Sequence, residues 1–69
     1  GNTSNTLEIS SKERIDYIEK SDHLSNSVID NESKEFIYRM SFNNRKELEE
    51  FKKKLDSQKK IEKINVIFN

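Results

Sequence analysis

Histidine is the side-chain type that titrates near neutrality, and His23 is the one histidine in this sequence, so it is the first candidate for general acid or base work. Its neighbours Ser21, Asp22 and Ser25 are polar and supply no converging relay, which predicts an exposed loop histidine near a helix end. With no cysteine and a single histidine, the chain has no thiolate cluster or histidine set with which to hold zinc. A phosphate cradle needs glycines that let backbone amides approach closely, and Gly1 is the only glycine. The acidic run Asp30-Asn31-Glu32 lacks the glycine and the distal bidentate glutamate of a calcium loop and reads as a solvated turn. No catalytic residue, metal ligand or cofactor is assigned, and an enzyme is not expected.

Charge offers a second kind of chemistry. Thirteen basic and thirteen acidic residues cancel overall, yet acidic groups dominate residues 1–35 and lysines dominate residues 44–63. Lys52, Lys53, Lys54, Lys59, Lys60 and Lys63 could meet phosphates, but they also fit a solvated helix face matched to the helix dipole. A bipolar surface suits head-to-tail or two-fold self-association. Ile37, Arg39, Ile67, Lys53 and Lys60 are the interaction candidates.

These side chains need a scaffold, and hydropathy periodicity supplies one. Leu7 and Ile9 alternate with Glu8 and Ser10 as a short strand, and Ser10 with Glu13 has the spacing of a capping box that would open a first helix through Ile15 and Ile18. Val28 and Ile29 mark a weak edge strand followed by the turn Asp30-Asn31-Glu32-Ser33. Phe36, Tyr38, Met40 and Phe42 alternate with Ile37, Arg39 and Ser41, the strongest strand signal in the chain. Asn44 and Glu47 cap a second helix from Arg45, with Leu48, Phe51 and Leu55 on one stripe. Ile64, Val66 and Phe68 form a last strand, and Ile61 plugs the turn before it.

The order strand, helix, strand, strand, helix, strand predicts an α+β fold: a ferredoxin-like βαββαβ sandwich, with a four-stranded antiparallel sheet and two helices on one face. The expected core is Leu7, Ile9, Ile15, Ile18, Val28, Tyr38, Met40, Phe42, Leu48, Phe51, Leu55, Ile64, Val66 and Phe68. Ile37 and Ile67 then point to the uncovered face. At 69 residues the chain is one domain. Residues 1–5 read as a disordered or tag-derived leader and residues 6–69 as the domain. Only 30% of residues are hydrophobic against 38% charged, so the core must be thin. No run approaches the roughly 18 apolar residues of a membrane-spanning helix. The fragment is therefore expected to be soluble and cytoplasmic, without direct membrane insertion. Its polar opening reads as that of an excised piece, and its Lys, Asn, Ile and Ser bias points to a low-GC bacterium.

The sheet type is shared with RNA-recognition motifs, which stack bases on third-strand aromatics between small residues. Here the segment reads Lys34-Glu35-Phe36-Ile37-Tyr38, and Tyr38 is required beneath the helices, so no nucleic acid partner is expected. The run from Phe36 to Phe68 resembles the second half of an ACT-like domain, with an apolar strand, a Leu-Glu-Glu helix and a Val/Ile-rich last strand. Such domains stand at the C-termini of MgtC/SapB-type membrane proteins and RelA/SpoT-type enzymes. The resemblance implies a non-catalytic regulatory or interaction domain of a larger bacterial protein, acting as a homo-oligomer or by docking to its parent through a sheet edge or the Ile37/Ile67 face. Small-molecule sensing and single-strand nucleic-acid binding are the alternatives.

Overall fold

The computed structural model describes residues 5–68, the last of them as backbone. In chain order the elements are β1 (Asn5–Ser11), α1 (Asp16–Glu19), β2 (Leu24–Ile29), β3 (Phe36–Phe42), α2 (Arg45–Asp56) and β4 (Ile61–Phe68). The strands form one sheet in the order β2-β3-β1-β4, with every neighbouring pair antiparallel. The α+β class, the antiparallel sheet and the pair of helices follow the periodicity of the sequence.

Alternation decides which side chains meet. Along β1, Leu7 and Ile9 are buried, and their partners across the ladders are Met40 and Tyr38 on β3 and Val66 and Ile64 on β4. Ile15 and Ile18 around α1 and Leu48 and Leu55 on α2 join the same buried cluster. Phe51 packs against it as a half-buried ring, stacked with Tyr17 at 5.2 Å and tilted against Phe42 at 5.5 Å. The second capping arrangement is present: Asn44 Oδ1 accepts the Glu47 N–H at 2.9 Å, while the Glu47 carboxylate reaches back to the Asn43 N–H at 3.4 Å.

Four expectations are corrected. Ser10 does not cap α1, because β1 continues through Ser11 and its ladder contacts with Phe36 and Ile61 hold that segment extended. The helix starts instead behind Ile15, which offers no capping side chain, and it lasts four residues. Val28 is not core. A bulge between Leu24 and Asn26 inserts one residue into β2 and reverses the facing of everything after it. Leu24 therefore packs inward opposite Met40, while Val28 turns to the outer face opposite Ile37 and is 51% exposed. Ile61 is not a turn plug but the first residue of β4, opposite Ser11, past a shift in register at Ser10 and Ser11. Asn5, assigned above to the leader, is the buried first residue of β1. Residues 1–4 and the Phe68 side chain lie outside the described residues.

The division between the two surfaces predicts a sharp contrast. Leu48→Ala should lower unfolding free energy by about 2–5 kcal/mol, the range for deleting a buried leucine side chain. Val28→Ala should stay within about 0.5 kcal/mol. Urea denaturation of both variants beside the parent chain, each dilute enough to be monomeric, checks the pair, and a Val28 cost equal to that of Leu48 would place β2 in the opposite facing.

Candidate functional site

A four-residue helix cannot hold itself together in water, since nucleation is costly and isolated helices below about 12–15 residues are marginal. α1 is fastened from outside. The Ile15 N–H, which lacks an intrahelical acceptor at the helix start, donates to the Tyr38 hydroxyl at 3.1 Å. That hydroxyl donates to Glu19 Oε2 at 2.6 Å. Arg14 grips the same carboxylate with two bonds, Nε to Oε2 at 3.1 Å and Nη2 to Oε1 at 2.8 Å. The Arg14 bond first, and the Tyr38 bond second, pull the Glu19 carboxyl down to about 2 from its ordinary 4.5. Burial, with the Glu19 bond second, raises the Tyr38 phenol above its usual range. Both sides of the hydroxyl and both carboxylate oxygens are engaged, so this cluster works as a clamp rather than as an acid–base pair.

Because α1 stops after one turn, it leaves the inner face of the β2–β3 end of the sheet bare. An open groove of about 620 Å³ results. Its apolar lining includes Leu24, Val28, Ile29 and Phe36, beside Ser27 and the Arg14–Glu19 pair. Ile29 is 58% exposed there.

His23 lies in the turn between α1 and β2, as its polar neighbours predict, but it is not fully exposed. It is half-buried at the mouth of β2, with its ring stacked on Phe42 at 4.4 Å and edge-on to Phe51 at 6.2 Å. Its Nδ1 lies 3.2 Å from the Ser41 carbonyl oxygen. A carbonyl only accepts, so Nδ1 carries the proton in this contact. The His23 carbonyl accepts the Ser41 N–H at 2.8 Å, so ring and backbone together sew the start of β2 to the end of β3. Among the described residues no three side chains gather as a metal site.

The interaction candidates are dispersed. Ile37 faces outward between Val28 and Ser10, whereas Ile67 faces outward opposite Thr6 at the far edge and four residues along β1. Arg39 stands between them and is bonded to Glu8 at 2.9 Å. The two isoleucines are therefore not one apolar patch. Lys53 is exposed on α2 and Lys60 in the turn before β4, and neither joins the outer sheet surface around Arg39. Residue-by-residue reading marks Val28 and Ile29 as an edge strand, which the sheet order bears out, but names none of its residues as an interaction candidate. Its signal is compositional: Leu24–Ile29 carries no charge in a chain that is 38% charged.

The clamp yields two tests. Tyr38→Phe should cost about 1–3 kcal/mol, because it leaves the buried Ile15 N–H without its acceptor. Glu19 adds a pH signature. Its folded-state carboxyl titrates near 2 against an ordinary 4.5, so its stabilising contribution is complete above about 4.5 and is lost as pH falls through about 2. Urea midpoints from pH 6 down to pH 2 should therefore fall further for the parent chain than for Glu19→Gln, and parallel curves would remove the clamp. Compared with known proteins, this chain matches no family model, no curated protein and no solved structure.

Proposed function

We propose that this chain is a regulatory or protein-interaction domain without catalysis of its own, built as a ferredoxin-like, ACT-like sandwich with both helices on one face of the sheet. The strand order, the antiparallel ladders and the joint burial of Ile18, Leu48 and Leu55 with Leu7 and Ile9 support that architecture. The clamp and the packed His23 give the described surface a structural use for its most chemical-looking residues.

One observation carries the functional reading, the state of β2. It is an edge strand, and edge strands of monomeric proteins are ordinarily guarded by lysine, proline or an inward charge. From Leu24 to Ile29 β2 has none of these. Its bulge lies at the Leu24 end, and the stretch from Asn26 to Ile29 pairs regularly with β3. The Asp30 N–H donates to the Glu35 carbonyl at 2.9 Å, so by alternation Val28 and Asn26 also direct their backbone groups to β3. Ser27 and Ile29 direct theirs out of the sheet. Free backbone groups beside exposed Val28 and Ile29 are the requirements for docking by strand addition. In a longer protein this edge would join copies of the domain or fasten it to its parent.

The groove favours a second reading, small-molecule sensing. It opens beside the segment that leads from Ser11 to Arg14, and its lining combines apolar side chains with the paired Arg14 and Glu19.

The two readings separate experimentally. Sedimentation of the 69-residue chain should show association that rises with concentration. Ser27→Pro should remain monomeric with an unchanged circular dichroism spectrum, because the lost N–H points away from β3. A chain monomeric at every concentration overturns the docking reading, and dose-dependent thermal stabilisation by one class of amino acid would favour sensing instead.

A further inference from the structure

We propose that the occupant of the β2 edge is a second copy of this chain, paired antiparallel about a two-fold axis at Val28, so that Ile29 of each copy lies in the groove of the other. This rests on reading β2 as a docking edge and adds the partner, the register and the residue exchanged.

Register follows from which backbone groups are free. Only Ser27 and Ile29, on the regular stretch, point their amides and carbonyls outward, so hydrogen-bonded pairs across the new seam must join odd-numbered residues to odd-numbered residues. Three two-fold registers meet that condition near the middle of the strand. Centring on Ser27 sets Leu24 opposite Asp30 and Val28 opposite Asn26, and it runs through the bulge at Leu24 and Asn26. Centring on Ile29 sets Val28 opposite Asp30 and uses little of the strand. Centring on Val28 uses the regular stretch, sets Ser27 opposite Ile29 and sets Asn26 opposite Asp30, an amide facing a carboxylate. No like charges meet.

Both faces of the seam then gain. On the outer face Val28 meets Val28 of the second copy as a non-hydrogen-bonded pair, the arrangement in which opposed side chains come closest. Ile37 lies beside Val28 in the existing ladder, so an apolar row Ile37–Val28–Val28–Ile37 crosses the axis. On the inner face Ile29 of the second copy lies across the small Ser27 side chain, into the groove walled by Leu24 and Phe36. Val28 and Ile29, two large apolar side chains left exposed in the single copy, are covered together. A foreign strand would need to reproduce this match, whereas the second copy carries it by symmetry. The opposite edge suits a copy less well, since β4 carries Glu62 and Lys63 at its start.

The absence of native cysteine makes the register directly measurable. Val28→Cys, Asn26→Cys and Ile67→Cys would be oxidised mildly, folded and in urea. In the proposed register the thiol of Val28→Cys faces its own copy at bridging distance. The thiol of Asn26→Cys stands four residues from its copy, beyond the roughly 7 Å limit for Cα separation. Folded Val28→Cys should form a disulfide dimer far faster than the other two, and urea should erase the difference. In a second measurement, Val28→Lys and Val28→Glu should each be monomeric alone and form a dimer when mixed. Crosslinking that favours Asn26→Cys or Ile67→Cys, in a chain that still associates, overturns this register and leaves the docking reading standing. A chain that is monomeric throughout, with Ser27→Pro changing nothing, removes both.

Discussion

The hydroxyl of Tyr38 is the contact on which the rest of the described arrangement depends. Tyr38 is 1% exposed and lies on β3, between both β1 and β2 in the sheet. Its ring belongs to the core, but its oxygen accepts from Ile15 and donates to Glu19, so a single atom fixes the beginning and the end of α1. The helix has no capping side chain and is too short to persist by propensity. Packing of Ile15 and Ile18 fixes its apolar side, and the Tyr38–Glu19–Arg14 chain of bonds fixes its polar side. A buried hydroxyl is costly unless satisfied, and here both its donor and acceptor capacity are used, so the burial of Tyr38 and the placement of α1 require each other.

A helix held this way covers little. α2 packs against the central strands β1 and β3, while the single turn of α1 is fastened at Tyr38 and leaves the groove beside β2 open. The bulge in β2 completes the effect. By reversing the facing after Leu24, it sends Val28 to the outer surface and sets Ile29 over the groove, so a strand with two β-branched residues at its end contributes mainly Leu24 to the core. The His23 ring and backbone hold the other side of that bulge against Phe42 and Ser41. The edge is thus firmly positioned while its apolar side chains stay in water.

Much of this is legible in the residues themselves. Strict alternation over Phe36–Phe42, and the Asn44–Glu47 cap followed by Leu48 and Leu55, encode β3 and α2 locally, and the structure places both where the pattern predicts. The failures share one cause, which is competition between local signals and ladder partners elsewhere in the chain. The Ser10–Glu13 spacing is a valid capping pattern, but β1 gains two ladders by continuing to Ser11. Ile61 follows turn-like lysines, yet Ser11 waits opposite it. Val28 defeats the periodicity because a bulge is set by the partner strand and leaves no glycine or proline to announce it. The clamp is invisible in the sequence for the same reason: Arg14, Glu19 and Tyr38 are ordinary residues until the fold brings a distant hydroxyl to the helix.

An uncharged edge strand is also a hazard, and the surroundings of β2 bear on what it can do. An edge that could pair with any neighbour leads toward open-ended assembly, whereas a two-fold pairing consumes both edges and closes. The bulge at Leu24 and the turn that begins at Asp30 confine regular pairing to a short stretch, too short to act as an indiscriminate template. The other edge begins with Glu62 and Lys63, charges that discourage the same event there. Of the two edges, β2 is thus the uncharged one and β4 the charged one. With so thin a core, the chain has few apolar side chains to spare, and Val28 and Ile29, left more than half exposed, add little burial to the described fold.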